Sequence, residues 1–349
     1  MSDSGSLFND DDLFGSSEPV VRETRQSEPE SAPYAARYSN SRIKPISLDG
    51  LNPMQREAAE HVNGPLLVVA GAGSGKTRVL THRIAHLISN HGVSPMNVLA
   101  ITFTNKAAGE MKHRVESLIG PVAKSMWVST FHSACVRILR VHAERIGYPK
   151  TFSIYDQADA QRLTGYVIRD MGLDVKRFTP RAVHAVISNW KNELVSPSQA
   201  AEQAAHIFDR KHSEIYREYQ ERLLKAGAMD FDDLLVNVVR LFRMHPDVLA
   251  SYQDRFKYIL VDEYQDTNIA QNEIVLSLSA RHQNVCVVGD TDQSIYAFRG
   301  ADFRNIGQFE NAFDEVSVVL LEQNYRSTQN ILDAANAVIA QNFGRKPKE

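Results

Sequence analysis

From residue 51 onward, short apolar runs alternate with longer stretches whose apolar residues have helical spacing. Runs rich in β-branched residues predict buried strands at 66–69, 98–103, 127–129, 258–261, 285–288 and 316–321. Helical spacing follows several of these runs, most clearly over residues 76–89 and 107–118. Strands that alternate with helices predict an α/β fold with a right-handed, doubly wound parallel sheet.

The stretch between residues 131 and 256 shows no convincing strand and has helical periodicity instead. Helices are predicted there at 156–171, 213–225 and 231–242. The simplest organisation is one α/β domain in two segments, interrupted by an all-helical insertion and followed by the start of a second α/β domain. In this prediction the domain covers 46–130 and 257–322, the insertion 131–256, and the second domain 323–349. We therefore expect the chain to be a fragment of a longer protein.

The composition changes sharply near the N-terminus. The first forty residues contain eight acids, three bases and eight serines, for a net charge of −5, whereas the whole chain has a net charge of only −3. Such a segment has too few large apolar groups to offset the entropy of ordering it. We predict a disordered acidic arm over residues 1–45. Its pairs Leu7-Phe8 and Leu13-Phe14 suit the binding of a partner such as a repair protein, and a solubilising tail is the alternative.

Cysteine content and hydropathy exclude several classes of protein. The two cysteines, Cys135 and Cys286, are far apart in sequence and accompany no secretory signal pattern, so a disulfide framework is excluded. No apolar run approaches the roughly 20 residues of a membrane span. We expect a cytoplasmic protein without a membrane partner.

The segment after the first predicted strand carries the strongest chemical signal. It lies between a buried strand and a helix and consists of Ala70, Gly71, Ala72, Gly73, Ser74, Gly75, Lys76 and Thr77. Glycines let successive backbone N–H groups point into one anion-sized hollow, and the helix N-terminus adds to its attraction for phosphate. We predict a P-loop in which Lys76 reaches the β- and γ-phosphates and the Thr77 hydroxyl holds Mg²⁺. Ala70 stands where the general pattern has its first glycine.

Two carboxylates follow the predicted strand 258–261 at its carboxyl end, where ligands bind in open α/β sheets. A P-loop requires a further carboxylate for the metal and a group that aligns the attacking water. Asp262 fits the Mg²⁺ role, and Glu263 fits the general base. Without the P-loop, a solvated acidic loop would be the better interpretation.

A polar cluster also follows the strand 285–288. Gln293 lies at the same predicted sheet edge as the P-loop and could face the γ-phosphate. Tyr296 and Phe298 share one side of an extended segment, with Arg299 beside them. Aromatic rings interleaved with cations are typical of a platform that stacks single-stranded bases, although ordinary packing of the two rings is the alternative.

Taken together, these motifs resemble the UvrD/PcrA/Rep branch of superfamily 1 helicases over residues 50 to 345. The most specific are Asp262-Glu263-Tyr264-Gln265-Asp266 and Gln323-Asn324-Tyr325-Arg326-Ser327. The others, in chain order with them, are Gln55, 70–77, 102–108, 130–133, 230–233 and 289–300. The resemblance implies a RecA-like P-loop domain, called 1A, a helical 1B insertion, and the start of a domain 2A.

The resemblance also implies roles at the nucleotide. Gln55 would read the adenine edge and select ATP, while Arg78 and Tyr325 would enclose the adenine ring. Gln293 and Arg326 would contact the γ-phosphate and couple its loss to movement.

Four residues are implied to line the track of single-stranded DNA. They are Phe103, His132, Tyr296 and Phe298. Many members of the family carry tryptophan where this chain has Phe298, so the stacking surface here is smaller.

The predicted function is therefore an ATP-dependent 3′-to-5′ DNA helicase motor that acts on single-stranded DNA and single-strand/duplex junctions in repair or replication. The family's second motor domain, with its arginine finger, would lie beyond residue 349, so this polypeptide is not expected to unwind DNA alone. Two alternatives stay open: the motor part of a helicase-nuclease, and a nucleotide-dependent DNA-binding module without translocation.

Overall fold

The strands predicted from apolar runs all form, and together they make one parallel sheet. The computed structural model describes residues 43–294, 301–302 and 304–339. The strands are β1 (Leu66–Ala70), β2 (Val98–Thr102), β3 (Trp127–Thr130), β4 (Ser153–Tyr155), β5 (Ala228–Asp230), β6 (Tyr258–Val261), β7 (Val285–Gly289) and β8 (Ser317–Leu321). The main sheet has the order β3-β2-β6-β7-β1-β8, and its neighbouring strands all pair in parallel. The predicted α/β class is confirmed.

Helices connect these strands and cover both faces of the sheet. They are α1 (Pro53–Glu60), α2 (Lys76–Ser89), α3 (Asn105–Ile119), α4 (Phe131–His142), α5 (Gln157–Asp170), α6 (Pro180–Asn192), α7 (Pro197–Glu202), α8 (Ile207–Lys225), α9 (Phe231–Met244), α10 (Pro246–Arg255), α11 (Ile269–Ser279), α12 (Arg304–Asn311) and α13 (Gln329–Ile339). Among the described residues, no helix combines the length and the apolar character needed to cross a membrane.

The core lies on both faces of the sheet because the central strands are buried on both sides. Leu67 and Val69 of β1 pack with α4, α9 and α11 on one face. Leu66 and Val68 pack with α2 and α3 on the other face, where Cys286 also lies buried. This two-sided burial explains why these strands read as continuous apolar runs rather than as an alternating pattern.

The chain between β3 and β6 is mainly helical, as the periodicity predicts. Asp156 caps α5 by accepting a hydrogen bond from the backbone N–H of Asp159, and α5, α8 and α9 cover the predicted helices. The sequence did not predict β4 and β5, which pair in parallel with each other. Strands of three residues are too short to show a period of two, so only the fold reveals them.

The topology brings the predicted chemical segments to one edge. β6, β7 and β1 are consecutive neighbours in the sheet. Because parallel strands present their carboxyl ends on the same side, the loops after these strands converge there. These loops are 71–75, 262–268 and 290–294, which contain the predicted phosphate-binding and acidic motifs.

Candidate nucleotide site and DNA track

The P-loop connects β1 to α2 through two glycines with left-handed backbone conformations. Gly73 has φ 73° and Gly75 has φ 90°, in a region that side chains with a Cβ rarely adopt. The Ser74 hydroxyl donates to the carbonyl of Gly71 at 2.7 Å and closes the turn. The loop therefore has the curled backbone that the sequence predicts.

Gln55 of α1 packs against the P-loop and is almost fully buried. Its amide nitrogen donates to the carbonyl of Ser74 at 2.8 Å, and its amide oxygen accepts from the backbone N–H of Asn52 at 3.2 Å. A Cβ on Gly75 would lie 2.7 Å from the same amide nitrogen. In this conformation both ends of the amide are occupied, so reading an adenine edge requires Gln55 to exchange these partners for the base.

Lys76 and Glu263 are brought together across the sheet edge. The Lys76 ammonium donates to Glu263 Oε2 at 2.6 Å, and only 10% of the lysine side chain is exposed. Glu263 has φ 49°, an uncommon conformation for a residue other than glycine. Such backbone strain is concentrated at functional sites, where the surrounding structure maintains it. The two residues predicted to meet phosphate and to activate water are thus direct neighbours.

Two further carboxyl groups at this sheet edge lie near Glu263 and are partly removed from water, which disfavours their charged forms. Burial, with a further contribution from Glu263, raises the pKa of Asp262 to about 6 despite the opposing effect of Lys76. Burial likewise raises the pKa of Asp266 to about 6, and its Oδ1 is buried without a hydrogen-bond partner among the residues that the structure describes. A cation would relieve both effects, and oxygen donors of this kind are those that Mg²⁺ prefers. Thr77 is half-buried and lies in the first turn of α2, which follows β1 at the same edge of the sheet.

The loop after β7 is tied to the acidic loop through buried side chains. Gln265 is 1% exposed, and its amide oxygen accepts from the backbone N–H of Asp290 at 2.9 Å. The Asp290 carboxylate in turn accepts from the Gln293 amide at 2.6 Å. Gln293 therefore lies at the predicted edge, held by Asp290.

The segment after β8 folds back onto the P-loop. The Asn324 amide donates to the carbonyl of Ala72, and the backbone N–H of Tyr325 donates to the carbonyl of Gly73 at 2.9 Å. A Cβ on Gly73 would lie 2.7 Å from the Cβ of Arg326. The side chain of Arg326 therefore starts next to the P-loop. A residue that is predicted to contact phosphate must lie there.

Arg78 and Tyr325 both contact the turn before α1. An Arg78 guanidinium N–H donates to the carbonyl of Gly50 at 2.8 Å. The amide of Asn52 donates to the Tyr325 hydroxyl at 2.8 Å, while 58% of the tyrosine surface is exposed. The pair predicted to enclose a base therefore lies on one side of the P-loop, with the Tyr325 ring accessible.

Two of the predicted DNA-track residues fall within the described structure. The Phe103 ring packs edge-on against Phe131, with ring centroids 6.4 Å apart. The His132 ring packs edge-on against Phe231 at 5.9 Å, and its removal from water lowers the pKa of His132 to about 4.

The other two track residues, Tyr296 and Phe298, lie outside the described residues, as does Arg299 beside them. Their stacking role remains a prediction from the sequence.

Comparison with known proteins agrees with this geometry. Residues 51–314 match the family described as UvrD/REP helicase N-terminal domain. The chain belongs to this family.

Relatives within the family carry helicase names. The chain is 55% identical over 301 residues to the ATP-dependent DNA helicase PcrA of Bacillus subtilis, covering 86% of this chain and 41% of the relative. It is also 55% identical over 312 residues to the ATP-dependent DNA helicase UvrD1 of Mycobacterium tuberculosis H37Rv, covering 86% of this chain and 40% of that protein. The chain therefore spans about two fifths of the length of these curated relatives.

The sequence assigned no role to two residues that make hydrogen bonds between the loops of this UvrD/REP site. Gln265 and Asn324 each join separate loops through a side-chain amide, and Gln265 is buried whereas Asn324 is half-buried. Their position inside the two most specific motifs was the available signal. In the sequence, an amide side chain between other polar residues looks like part of a solvated loop. Only the packing shows which groups the amide contacts.

Proposed function

We propose that this chain forms the first part of an ATP-dependent DNA helicase motor. The observation that carries the proposal is the contact of 2.6 Å between Lys76 and Glu263, which joins the P-loop to the acidic loop at one sheet edge. The helicase names of the relatives support the same activity. In this proposal 46–130 with 257–322 form the RecA-like domain 1A, 131–256 the 1B insertion, and 323–349 the start of domain 2A.

Nucleotide binding follows from the P-loop and its neighbours. The backbone N–H groups of the loop and the Lys76 ammonium compensate the phosphate charge. Arg78 and Tyr325 enclose the adenine ring, and Gln55 distinguishes adenine from other bases by its hydrogen-bonding edge.

The donor set beside the P-loop fits a divalent cation. Thr77 and Asp262 would hold Mg²⁺, because the first turn of α2 offers a hydroxyl and the loop after β6 offers a desolvated carboxylate. When bound with ATP, Mg²⁺ supplies neutralisation of the phosphate charge.

Hydrolysis is assigned to residues of three loops. Glu263 orients the attacking water and accepts its proton, while Gln293 and Arg326 contact the γ-phosphate. An arginine finger from a second domain is worth about 10³–10⁵ in turnover. We therefore expect residues 1–349 alone to bind MgATP but to hydrolyse it slowly and to unwind no duplex.

The DNA substrate would bind along Phe103, His132, Tyr296 and Phe298, where aromatic faces stack bases without sequence preference. We propose movement in the 3′-to-5′ direction and action at single-strand/duplex junctions during repair or replication in the cytoplasm. The acidic arm would recruit a repair protein.

Hydrolysis and strand displacement by the complete protein test the proposal. We expect single-stranded DNA to stimulate ATP hydrolysis, and duplexes with a 3′ single-stranded tail, but not with a 5′ tail, to be separated. A Glu263→Gln variant should show neither DNA-stimulated ATP hydrolysis nor separation of the strands. Hydrolysis that is indifferent to DNA would contradict the motor function, and displacement only from 5′ tails would contradict the polarity.

A further inference from the structure

Gln265 is a buried amide placed between the two loops that face the phosphate site. Its nitrogen donates to Glu263 Oε2 at 2.9 Å, and its oxygen accepts from the backbone N–H of Asp290 at 2.9 Å. A second contact of the nitrogen, at 3.3 Å, reaches Asp266 Oδ2. The carboxylate proposed as general base and the loop after β7 are therefore connected through a single side chain.

The fit between Gln265 and the end of β7 leaves no spare room. A Cβ on Gly289 would lie 2.9 Å from the Gln265 amide oxygen and 3.3 Å from its backbone nitrogen. A larger residue at 289 would push the amide away from its partner. The position of the Gln265 side chain is consequently set by the β7 loop as well as by its own backbone.

The connection continues beyond Asp290. The Asp290 carboxylate accepts from the backbone N–H of Asp292 at 3.0 Å and from the Gln293 amide at 2.6 Å. The same loop leads directly into the segment that contains Tyr296 and Phe298. A displacement of residues 290–293 would thus move the hydrogen-bond partner of Gln265.

We infer that Gln265 is a positioning residue that makes the orientation of Glu263 depend on the loop 290–293. An amide suits this role because one end donates to a carboxylate while the other accepts from a backbone N–H. A carboxylate at 265 would repel Glu263, and an apolar residue would hold neither partner. Since this loop precedes the proposed DNA track, Gln265 transmits the state of the track to the group that activates water. The inference rests on the proposed ATPase function and extends it.

Two substitutions separate the two hydrogen bonds. Gln265→Glu keeps the size of the side chain and the acceptor for the Asp290 N–H but loses the donor to Glu263. Gln265→Met loses both hydrogen bonds at nearly the same volume. In the complete protein, both variants should bind a fluorescent ATP analogue within about threefold of wild type. Their DNA-stimulated kcat should fall by about tenfold or more with little change in KM for ATP.

Gln271→Met is the matched control. Gln271 is another buried amide of the same segment, but its oxygen accepts from the backbone N–H of Asn268 to cap α11. Its loss should lower the melting temperature while the ratio of DNA-stimulated to basal hydrolysis stays at the wild-type value. A merely structural role for Gln265 predicts the same behaviour at both positions.

Gln265→Asn provides a second, milder variant that keeps both hydrogen-bonding groups but is one methylene shorter. It should fold, bind the ATP analogue, and show a DNA-stimulated kcat between those of wild type and Gln265→Met. Wild-type DNA stimulation in Gln265→Glu and Gln265→Asn would overturn the inference, and so would equal loss in Gln271→Met. If wild type itself shows no DNA-stimulated hydrolysis, the proposed function fails instead.

Discussion

At the scale of single residues, the proposed mechanism assigns charge compensation and water activation to two different side chains. Lys76 belongs to the P-loop and Glu263 to the loop after β6, yet their side chains form one salt bridge. In the proposed mechanism the lysine would compensate phosphate charge whenever nucleotide is bound, whereas the glutamate would act when water attacks. Their substitutions should therefore affect different steps.

Lys76→Ala should weaken nucleotide binding and abolish turnover in the complete protein, while Glu263→Gln should spare binding and abolish turnover. Equilibrium binding of a fluorescent ATP analogue, measured beside steady-state hydrolysis, separates the two effects. General-base catalysis is worth about 10²–10⁴ in rate, which sets the scale of the Glu263→Gln loss. Loss of nucleotide by Glu263→Gln as severe as that by Lys76→Ala would show that Glu263 is not the general base.

Phe103→Ala should weaken binding of single-stranded DNA by about 1 kcal/mol or more, nearly independently of base sequence. Stacking does not itself release counterions, so the dependence of affinity on salt should change little. Fluorescence anisotropy at several salt concentrations measures both quantities. Val141→Ala, at a side chain that is 57% exposed, is the control. If Phe103 serves only to pack on Phe131, the melting temperature falls and DNA affinity does not.

At the scale of elements, the helical region between β3 and β6 is anchored to the acidic loop 262–268. The Asn268 amide, at the N-cap of α11, donates to the Asn192 amide oxygen at the end of α6 at 2.6 Å. The preceding Lys191 is buried and contacts Asp230 at 2.7 Å and Asp233 at 2.9 Å, both at the start of α9. Burial alone would lower the pKa of Lys191, but these two carboxylates raise it above its ordinary value. A buried ion cluster thus joins α6 and α9 beside the acidic loop.

Lys191→Met should destabilise the protein by about 3–5 kcal/mol, because it leaves buried carboxylates without their cation. Chemical denaturation of residues 1–349 measures the change. Lys225→Met, which removes an exposed pair with Glu221, should cost less than about 1 kcal/mol. Adding Asp230→Asn to Lys191→Met should restore part of the loss, since asparagine still caps α9. No recovery in the double variant would show that charge is not the cause.

Asp232, next to this cluster in the first turn of α9, should make stability depend on pH. Burial, together with Asp230, raises the pKa of Asp232 to about 7 and that of Asp233 to about 6. A carboxyl whose folded-state pKa is raised contributes stability at low pH and loses it as pH rises from its unfolded pKa to its folded pKa. The contribution of Asp232 should therefore fall between about pH 4 and pH 7.

Asp232→Asn removes this contribution, so its melting temperature should change less than that of wild type between pH 5 and pH 7.5. Asp159→Asn, in the exposed first turn of α5, is the control and should follow the wild-type profile. Parallel profiles for wild type and Asp232→Asn would mean that Asp232 has an ordinary pKa.

At the scale of the whole molecule, the acidic arm and the folded part should act separately. Deleting residues 1–40 should leave the ATPase and unwinding activities of the complete protein nearly unchanged, because an arm of net negative charge attracts neither phosphate nor nucleic acid. The deletion should instead reduce capture of a protein partner in a pull-down. Adding the isolated arm as a competitor should likewise reduce capture of that partner by the undeleted protein. A fall in turnover of about tenfold or more would contradict this separation.

The sequence by itself determined the α/β class, the positions of the six strands of the main sheet and the P-loop of this UvrD/REP family member. Apolar runs, glycine spacing and helix starts act over a few neighbouring residues, so they are visible along the chain. Only the tertiary structure decided which segments meet: Lys76 with Glu263, Gln265 with Asp290, and Asn192 with Asn268. Strand order fixes these contacts across long separations, and a buried amide looks like a solvated one until its partners are known. The short strands β4 and β5 escaped prediction for the related reason that three residues carry no period.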